Sequence, residues 1–169
     1  MAGLVARPEE LGGRTVGEEL LEPTRIYVKS VMPSLREGLP ITAMAHITSG
    51  GFMNLTRVRP QERPSGPVAV GFEITWLPEP PGIFRLIRSS GPLQGGQAVS
   101  DDEMYRVYNM GIGFCVVCAP EAVSGVIGHA KAAGVDSLEI GRVVEDARGR
   151  VWLREQGLVG ENGVFSADG

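Results

Sequence analysis

The stretch Ala45-His46-Ile47-Thr48-Ser49-Gly50-Gly51 places an imidazole, two hydroxyls and two glycines within seven residues of a segment without carboxylates, lysine or arginine. Read as strand, turn and helix start, it presents backbone N–H groups at the positive end of a helix, with no Cβ bulk at Gly50 or Gly51. That arrangement suits a phosphate or a carboxylate. An ordinary tight turn has the same spacing, because the string is neither a P-loop nor the dinucleotide fingerprint. His46, at the end of an apolar strand, is a candidate general acid or base, or a donor to phosphate. On pattern alone, a satisfied, half-buried structural histidine is the commoner outcome. Arg25, Lys29 and Arg57 flank these elements and are the cations that a phosphate wall would draw on.

A second glycine segment, Asn109-Met110-Gly111-Ile112-Gly113, leads into an apolar strand. Gly111 and Gly113 there allow either a ligand or another piece of backbone to come close. Cys115 and Cys118 form a C-x-x-C string inside that strand, where residues i and i+3 point to opposite faces. The pair is therefore expected neither to share a metal nor to close a disulfide, and no metal site is expected anywhere. His129 lies in a helix away from any motif and reads as surface. No Ser/His/Asp constellation is visible.

The elements that must position these groups follow from periodicity. Val28, Val31, Met32 and Leu35 fall at i, i+3, i+4 and i+7, one face of a helix, with Gly38 placed to end it and Pro33 expected in the first turn or at a bend. Residues 41–47 have strand length, and Phe52, Leu55 and Val58 suggest a short helix after the glycine turn. Residues 60–67 read as a loop. Val68, Val70, Phe72, Ile74 and Trp76 alternate with smaller or polar residues, which predicts a half-buried strand. Ile83, Phe84, Leu86 and Ile87 make a helical stripe ending at Gly91. Ser100 and Glu103 are spaced as a capping box opening a helix through Tyr108. A strand at 114–119, a helix from Pro120 to Gly134, a strand at 138–144 and a turn at 146–149 before Val151-Trp152-Leu153 complete the series. Interleaved strands and helices predict α/β or α+β architecture, a mixed β-sheet with packed helices. Residues 1–23 read as a linker or N-terminal arm, 24–155 as the folded domain and 156–169 as a flexible tail.

Composition bounds the function classes. The chain has 169 residues, 43% of them hydrophobic and 21% charged, enough for one domain with its own core. Net charge is −4, with no long basic run, which argues against nucleic acid as the main partner. No apolar run approaches a membrane span and no signal-peptide pattern opens the chain, so a cytoplasmic location without membrane partners is expected.

The residues carry a resemblance. The string Glu19-Leu20-Leu21-Glu22-Pro23-Thr24-Arg25-Ile26-Tyr27-Val28-Lys29-Ser30-Val31, then His46-Ile47-Thr48-x-Gly50-Gly51 with Asn54-Leu55, then Glu103-Met104-Tyr105-Arg106 and Asn109-Met110-Gly111-Ile112-Gly113 resemble the C-terminal domain of phosphoribosylformylglycinamidine cyclo-ligase, the AIR synthetase of purine biosynthesis. Pro81-x-Ile83-Phe84 and Ile140-Gly141 fall where the same pattern expects them, and the match runs in order over about residues 11–144. The resemblance implies a C-terminal α/β domain that closes an active-site cleft against an N-terminal domain. There ATP activates the formyl oxygen of formylglycinamidine ribonucleotide, and ring closure yields aminoimidazole ribonucleotide, ADP and phosphate. It implies ATP and Mg²⁺ as cofactors, held mainly by an N-terminal domain that this chain does not include. It also implies a small phosphorylated ribonucleotide as ligand. His46 (as the catalytic candidate), Thr48, Ser49, Gly50, Gly51, Asn54, Asn109, Gly111 and Gly113 would line the cleft, with Arg25 and Lys29 as nearby cations.

Two departures stand out. Ser49 replaces one of the three glycines usual in the family, adding a Cβ and a hydroxyl at the turn. Residues 61–80 fit the pattern poorly. The first expectation is therefore the C-terminal half of a cyclo-ligase, active only with a partner that supplies the ATP half. The alternative is a non-catalytic binding or regulatory domain that keeps the fold, paired with itself as a homodimer. A thiamine-monophosphate or selenophosphate kinase of the same superfamily is disfavoured by the P-T-R-I-Y-V-K string.

Overall fold

Period-two alternation and helical spacing divide this chain into strands and helices. The structure, a computed structural model that describes residues 3–58, 69–89 and 98–169, keeps that division in the described residues up to Leu153 and departs from it beyond. Helices α1 (Val16–Leu20), α2 (Val28–Arg36), α3 (Gly82–Ser89), α4 (Asp101–Val107) and α5 (Val123–Ala132) surround two sheets. Strands β1 (Ile41–His46) and β3 (Phe114–Cys118) form an antiparallel pair with Ala45 opposite Cys115 and His46 opposite Phe114. The second sheet has the order β4-β2-β5-β6-β7, from β2 (Val70–Ile74), β4 (Gly141–Glu145), β5 (Val151–Leu153), β6 (Leu158–Glu161) and β7 (Val164–Ala167). Only the β2–β5 pair is parallel, so the architecture is α+β with a mixed sheet. The expected loop at 60–67, Val68 and the helix end at Gly91 lie outside the described residues.

The core lies where the larger sheet meets a 3-10 helix at Gly51–Arg57 and helix α4. Phe52 and Leu55 from the 3-10 helix, Phe72 and Ile74 from β2, Met104 from α4, and Val151 and Leu153 from β5 are all buried in it. Strand β2 turns Phe72 and Ile74 inward as its alternation requires, whereas Trp76 lies past the strand end and is exposed.

Residues 156–169 are no tail. Leu158 and Phe165 are buried, and β6 and β7 form a hairpin with Glu161 opposite Val164. The many polar and glycine residues there serve the turn and the outer face: Asn162 and Gly163 take the positive φ that a tight hairpin needs. Strand β5 is not the return arm of a hairpin with β4, because β2 lies between them.

Helix α2 occupies its predicted span, but its buried face is not the apolar one. Ser30 and Ser34 are buried while Val28 and Leu35 are exposed. The small serines face the neighbouring helix α5, and each hydroxyl finds a partner: Ser30 Oγ donates to the Tyr27 carbonyl at 2.7 Å, and Ser34 Oγ pairs with His129 Nδ1 at 2.9 Å. Pro33 sits in the sixth position of the helix rather than in its first turn. Ser100 occupies the N-cap of α4 without a side-chain cap bond. The capping box forms instead at Thr15 and Glu18, opening α1.

Candidate functional site

The glycine turn follows β1 directly. Ile47 N–H donates to the Gly113 carbonyl at 2.9 Å, which ties the end of β1 to the second glycine segment. Thr48 and Ser49 are exposed, and the chain then reverses through Gly50 (φ +101°) and Gly51 (φ +50°). Gly51 N–H closes the turn onto the Thr48 carbonyl at 3.0 Å. Glycine is required at Gly51 twice over: its φ is left-handed, and a Cβ would collide with the Tyr105 carbonyl and approach the Tyr108 carbonyl to 2.8 Å. The turn is thus seated on the C-terminal carbonyls of α4.

Asn54 lies beneath this turn and is 3% exposed. Neither its carboxamide oxygen nor its nitrogen has a hydrogen-bond partner among the described residues. A Cβ at Gly50 would come to 3.3 Å from Asn54 Oδ1, so the carboxamide is covered by the glycine itself. An unpaired buried amide of this kind costs free energy on the order of 1–3 kcal/mol, which a ligand or an ordered water reaching through the turn would relieve.

His46 is exposed at the end of β1 and belongs to an aromatic group. Its ring meets Tyr27 edge-on at 6.0 Å between centroids and lies 6.1 Å from Phe114, while Tyr27 and Phe114 stack at 5.0 Å. The Tyr27 hydroxyl occupies the space above Gly113 that a Cβ would fill, and Pro81 does the same at Gly111, where a Cβ would lie 2.6 Å from Pro81 Cδ. The close approaches that these glycines permit are therefore made by the chain's own side chains. Asn109 Oδ1 accepts from Gly111 N–H at 3.0 Å and so shapes the segment around it.

The residues singled out in the sequence separate into two adjoining groups. His46, Thr48, Ser49, Gly50, Gly51 and Asn54 gather at the turn. Arg25, Gly111 and Gly113 instead line a cavity of about 610 Å³ between β3, α5 and β4, whose walls include Val116, Val126, Phe72 and Ile140. Tyr27 stands at the junction, lining the cavity and packed beside His46. Lys29 is exposed on α2, and Arg57 is exposed at the end of the 3-10 helix. Tyr27 carries no linear signal beyond its place in the I-Y-V-K string.

A serine–histidine–glutamate line exists after all. His129 Nε2 meets Glu37 Oε2 at 3.0 Å while its Nδ1 meets Ser34. Ser34 is fully buried, so no substrate can reach its hydroxyl, and the three residues clasp α2 to α5 instead of supplying a nucleophile. His129 is accordingly part-buried rather than surface. Burial also pushes the Cys115 thiol up to about 12, which removes it as a nucleophile near neutral pH. Cys118 is raised as well, by burial and by the neighbouring Glu139 and Glu121 carboxylates, and both cysteines are free.

Fold and turn together define an α+β domain in which the end of one strand and the glycine turn after it gather the polar candidate residues. Residues 2–154 match the family model described as AIR synthase related protein, C-terminal domain, and the chain belongs to that family. It is 46% identical over 109 residues to a phosphoribosylformylglycinamidine cyclo-ligase of Methanothermobacter thermautotrophicus, covering 64% of this chain and 28% of the relative. A protein of the same name from Methanocaldococcus jannaschii is 42% identical over 134 residues, or 79% of this chain and 34% of the relative. One from Cupriavidus pinatubonensis is 40% identical over 149 residues, or 86% and 39%. The chain thus matches about a third of the length of these relatives. No helix among the described residues is long and apolar enough to cross a membrane.

Proposed function

We propose that this domain is the C-terminal half of a cyclo-ligase that closes formylglycinamidine ribonucleotide to aminoimidazole ribonucleotide in the cytoplasm, with the ATP half supplied by another domain or chain. The single observation that carries this reading is the Asn54 carboxamide, buried under Gly50 at the turn and unpartnered among the described residues. Its donor and acceptor suit a ligand that offers both, and the neighbouring Thr48 and Ser49 are exposed on the same turn. His46, exposed and steadied by Tyr27 and Phe114, is the group placed to orient the ribonucleotide phosphate or to move a proton. The names of the relatives support the reaction class.

ATP and Mg²⁺ would supply phosphoryl activation of the formyl oxygen. Among the described residues no three His, Cys, Asp or Glu side chains converge to hold a metal ion, so no step through that ion is assigned to this domain. Calorimetric titration with formylglycinamidine ribonucleotide tests the proposal. Saturable binding that weakens in His46→Ala is expected, together with no ATP-dependent cyclisation by the domain alone. Absence of binding overturns the reading in favour of a domain that keeps only the fold, and robust turnover by the isolated domain overturns the need for a second half.

A further inference from the structure

Strands β3 and β4 each leave one edge unpaired. β3 is laddered to β1 and β4 to β2, and among the described residues neither of their other edges meets a strand. Both free edges border the cavity of about 610 Å³ between β3, α5 and β4. All five residues of Phe114–Cys118 line it, and so do four in a row from Ile140 to Val143. Side chains alternate between the two faces of a strand, so one face alone would contribute every second residue. The unbroken runs mean that the edges themselves, with their N–H and C=O groups, lie along the space.

The remaining walls are apolar. Val126 and Ile127 come from α5, and Leu55, Phe72 and Ile74 from the core and its margin. One more polar atom faces no partner: the Ser137 hydroxyl oxygen, in the segment between α5 and β4, is buried without a hydrogen bond among the described residues. Charge around the cavity is balanced, with Arg25 and Arg142 set against Asp136 and Glu139. Small-molecule sites combine a volume of this order with apolar walls and a few placed polar groups.

These walls specify the chemistry of an occupant. The apolar side chains favour a ligand with apolar faces. The strand edges and Ser137 favour hydrogen-bonding atoms around its rim, because a hydrocarbon would leave them unpaired. Balanced charge favours a neutral molecule. We infer that the cavity is a binding site for a small, neutral, planar nitrogen heterocycle, with apolar ring faces and ring N–H and N atoms at its edge. The site is separate from the glycine turn, since none of His46, Thr48, Ser49, Gly50, Gly51 and Asn54 lines it. Its failure leaves the reading of that turn untouched.

Isothermal titration of this chain with benzimidazole and with indene provides the test. The two molecules share a fused-ring shape, and only benzimidazole carries a ring N–H and a ring N. The expected result is saturable 1:1 binding of benzimidazole, about tenfold or more tighter than indene, although indene leaves water more readily. Ser137→Ala removes only the unpartnered hydroxyl, so it weakens benzimidazole about 2- to 12-fold and leaves indene unchanged. Val126→Trp fills the cavity and abolishes binding of both; should that variant fail to melt cooperatively, Ser137→Ala decides. Indene binding as tightly as benzimidazole overturns the proposal, because the cavity would then be merely apolar. So does the absence of saturable benzimidazole binding, or an affinity that Ser137→Ala or a folded Val126→Trp leaves unchanged. Competition between benzimidazole and formylglycinamidine ribonucleotide would place the ring at the turn and overturn it as well.

Discussion

Replacing Asn54 by leucine tests whether the turn is built for a ligand or for itself. The side chains share heavy-atom count and branching, so the substitution removes the carboxamide's polarity and keeps the shape that fills this 3% exposed site. Because both ends of the carboxamide lack partners among the described residues, the folded domain carries their desolvation cost without a compensating bond from those residues. Removing that cost stabilises the ligand-free domain by about 1–3 kcal/mol. For a chain of this size each kcal/mol is about 2–4 °C, so the melting temperature rises by roughly 2–12 °C. Ribonucleotide binding moves the other way. A lost hydrogen bond to a charged ligand is worth about 1.5–3 kcal/mol, or a roughly 10- to 150-fold weaker dissociation constant. Differential scanning calorimetry gives the first quantity and isothermal titration the second. A variant destabilised by more than about 1 kcal/mol would mean that Asn54 makes bonds the native fold depends on. Unchanged ribonucleotide affinity would mean that the ligand does not use it. Either result refutes the argument.

Two further outcomes follow from the same geometry. Gly51→Ala combines a left-handed backbone, about 1–2 kcal/mol, with collision against the Tyr105 carbonyl, about 1–3 kcal/mol more, whereas Gly12→Ala at φ +58° has nothing within 4 Å and suffers only the first cost. Urea denaturation of the two variants should separate them by that second amount, and equal losses would show that the turn is not seated on α4 as described. Asp146 accepts from Arg150 N–H at 2.7 Å and from its guanidinium at 2.8 Å, and the Arg150 guanidinium holds its carboxyl below the usual carboxylate range. The stabilisation is therefore fully present above the unfolded carboxyl value of about 4 and is lost as pH falls through the lower folded value. The gap in urea midpoint between wild type and Asp146→Asn should hold steady from about pH 5 to 8 and close in more acid solution; a gap that persists down to about pH 2 contradicts this assignment.

Family and element types were legible because they are written in local order. Alternation in β2 and the apolar string of β3 need only neighbours to be read, and the E-L-L-E-P-T-R-I-Y-V-K string with the motifs that follow it in order marks the family. Where partners are distant, local reading failed. The apolar stripe of α2 named the wrong buried face, because Ser34 is paid for by His129, 95 residues away, and small residues let α2 and α5 approach. The last residues looked frayed because their glycines and acids mark a hairpin turn, while Leu158 and Phe165 acquire a core only once β5 is beside them. Gly111 and Gly113 could be recognised as sites of close approach, but not that Pro81 and Tyr27 make the approach.

The sequence by itself thus determined most strands and helices up to Leu153, which family the chain joins, and where its glycines and His46 fall. Tertiary structure alone decided that Asn54 is buried without partners among the described residues, that Tyr27 joins turn and cavity, and that Leu158 and Phe165 enter the core. The physical reason is one of range. Backbone preference and hydrophobic period act over a few residues, whereas burial, hydrogen-bond satisfaction and exposure belong to pairs of surfaces that meet only when the chain has folded.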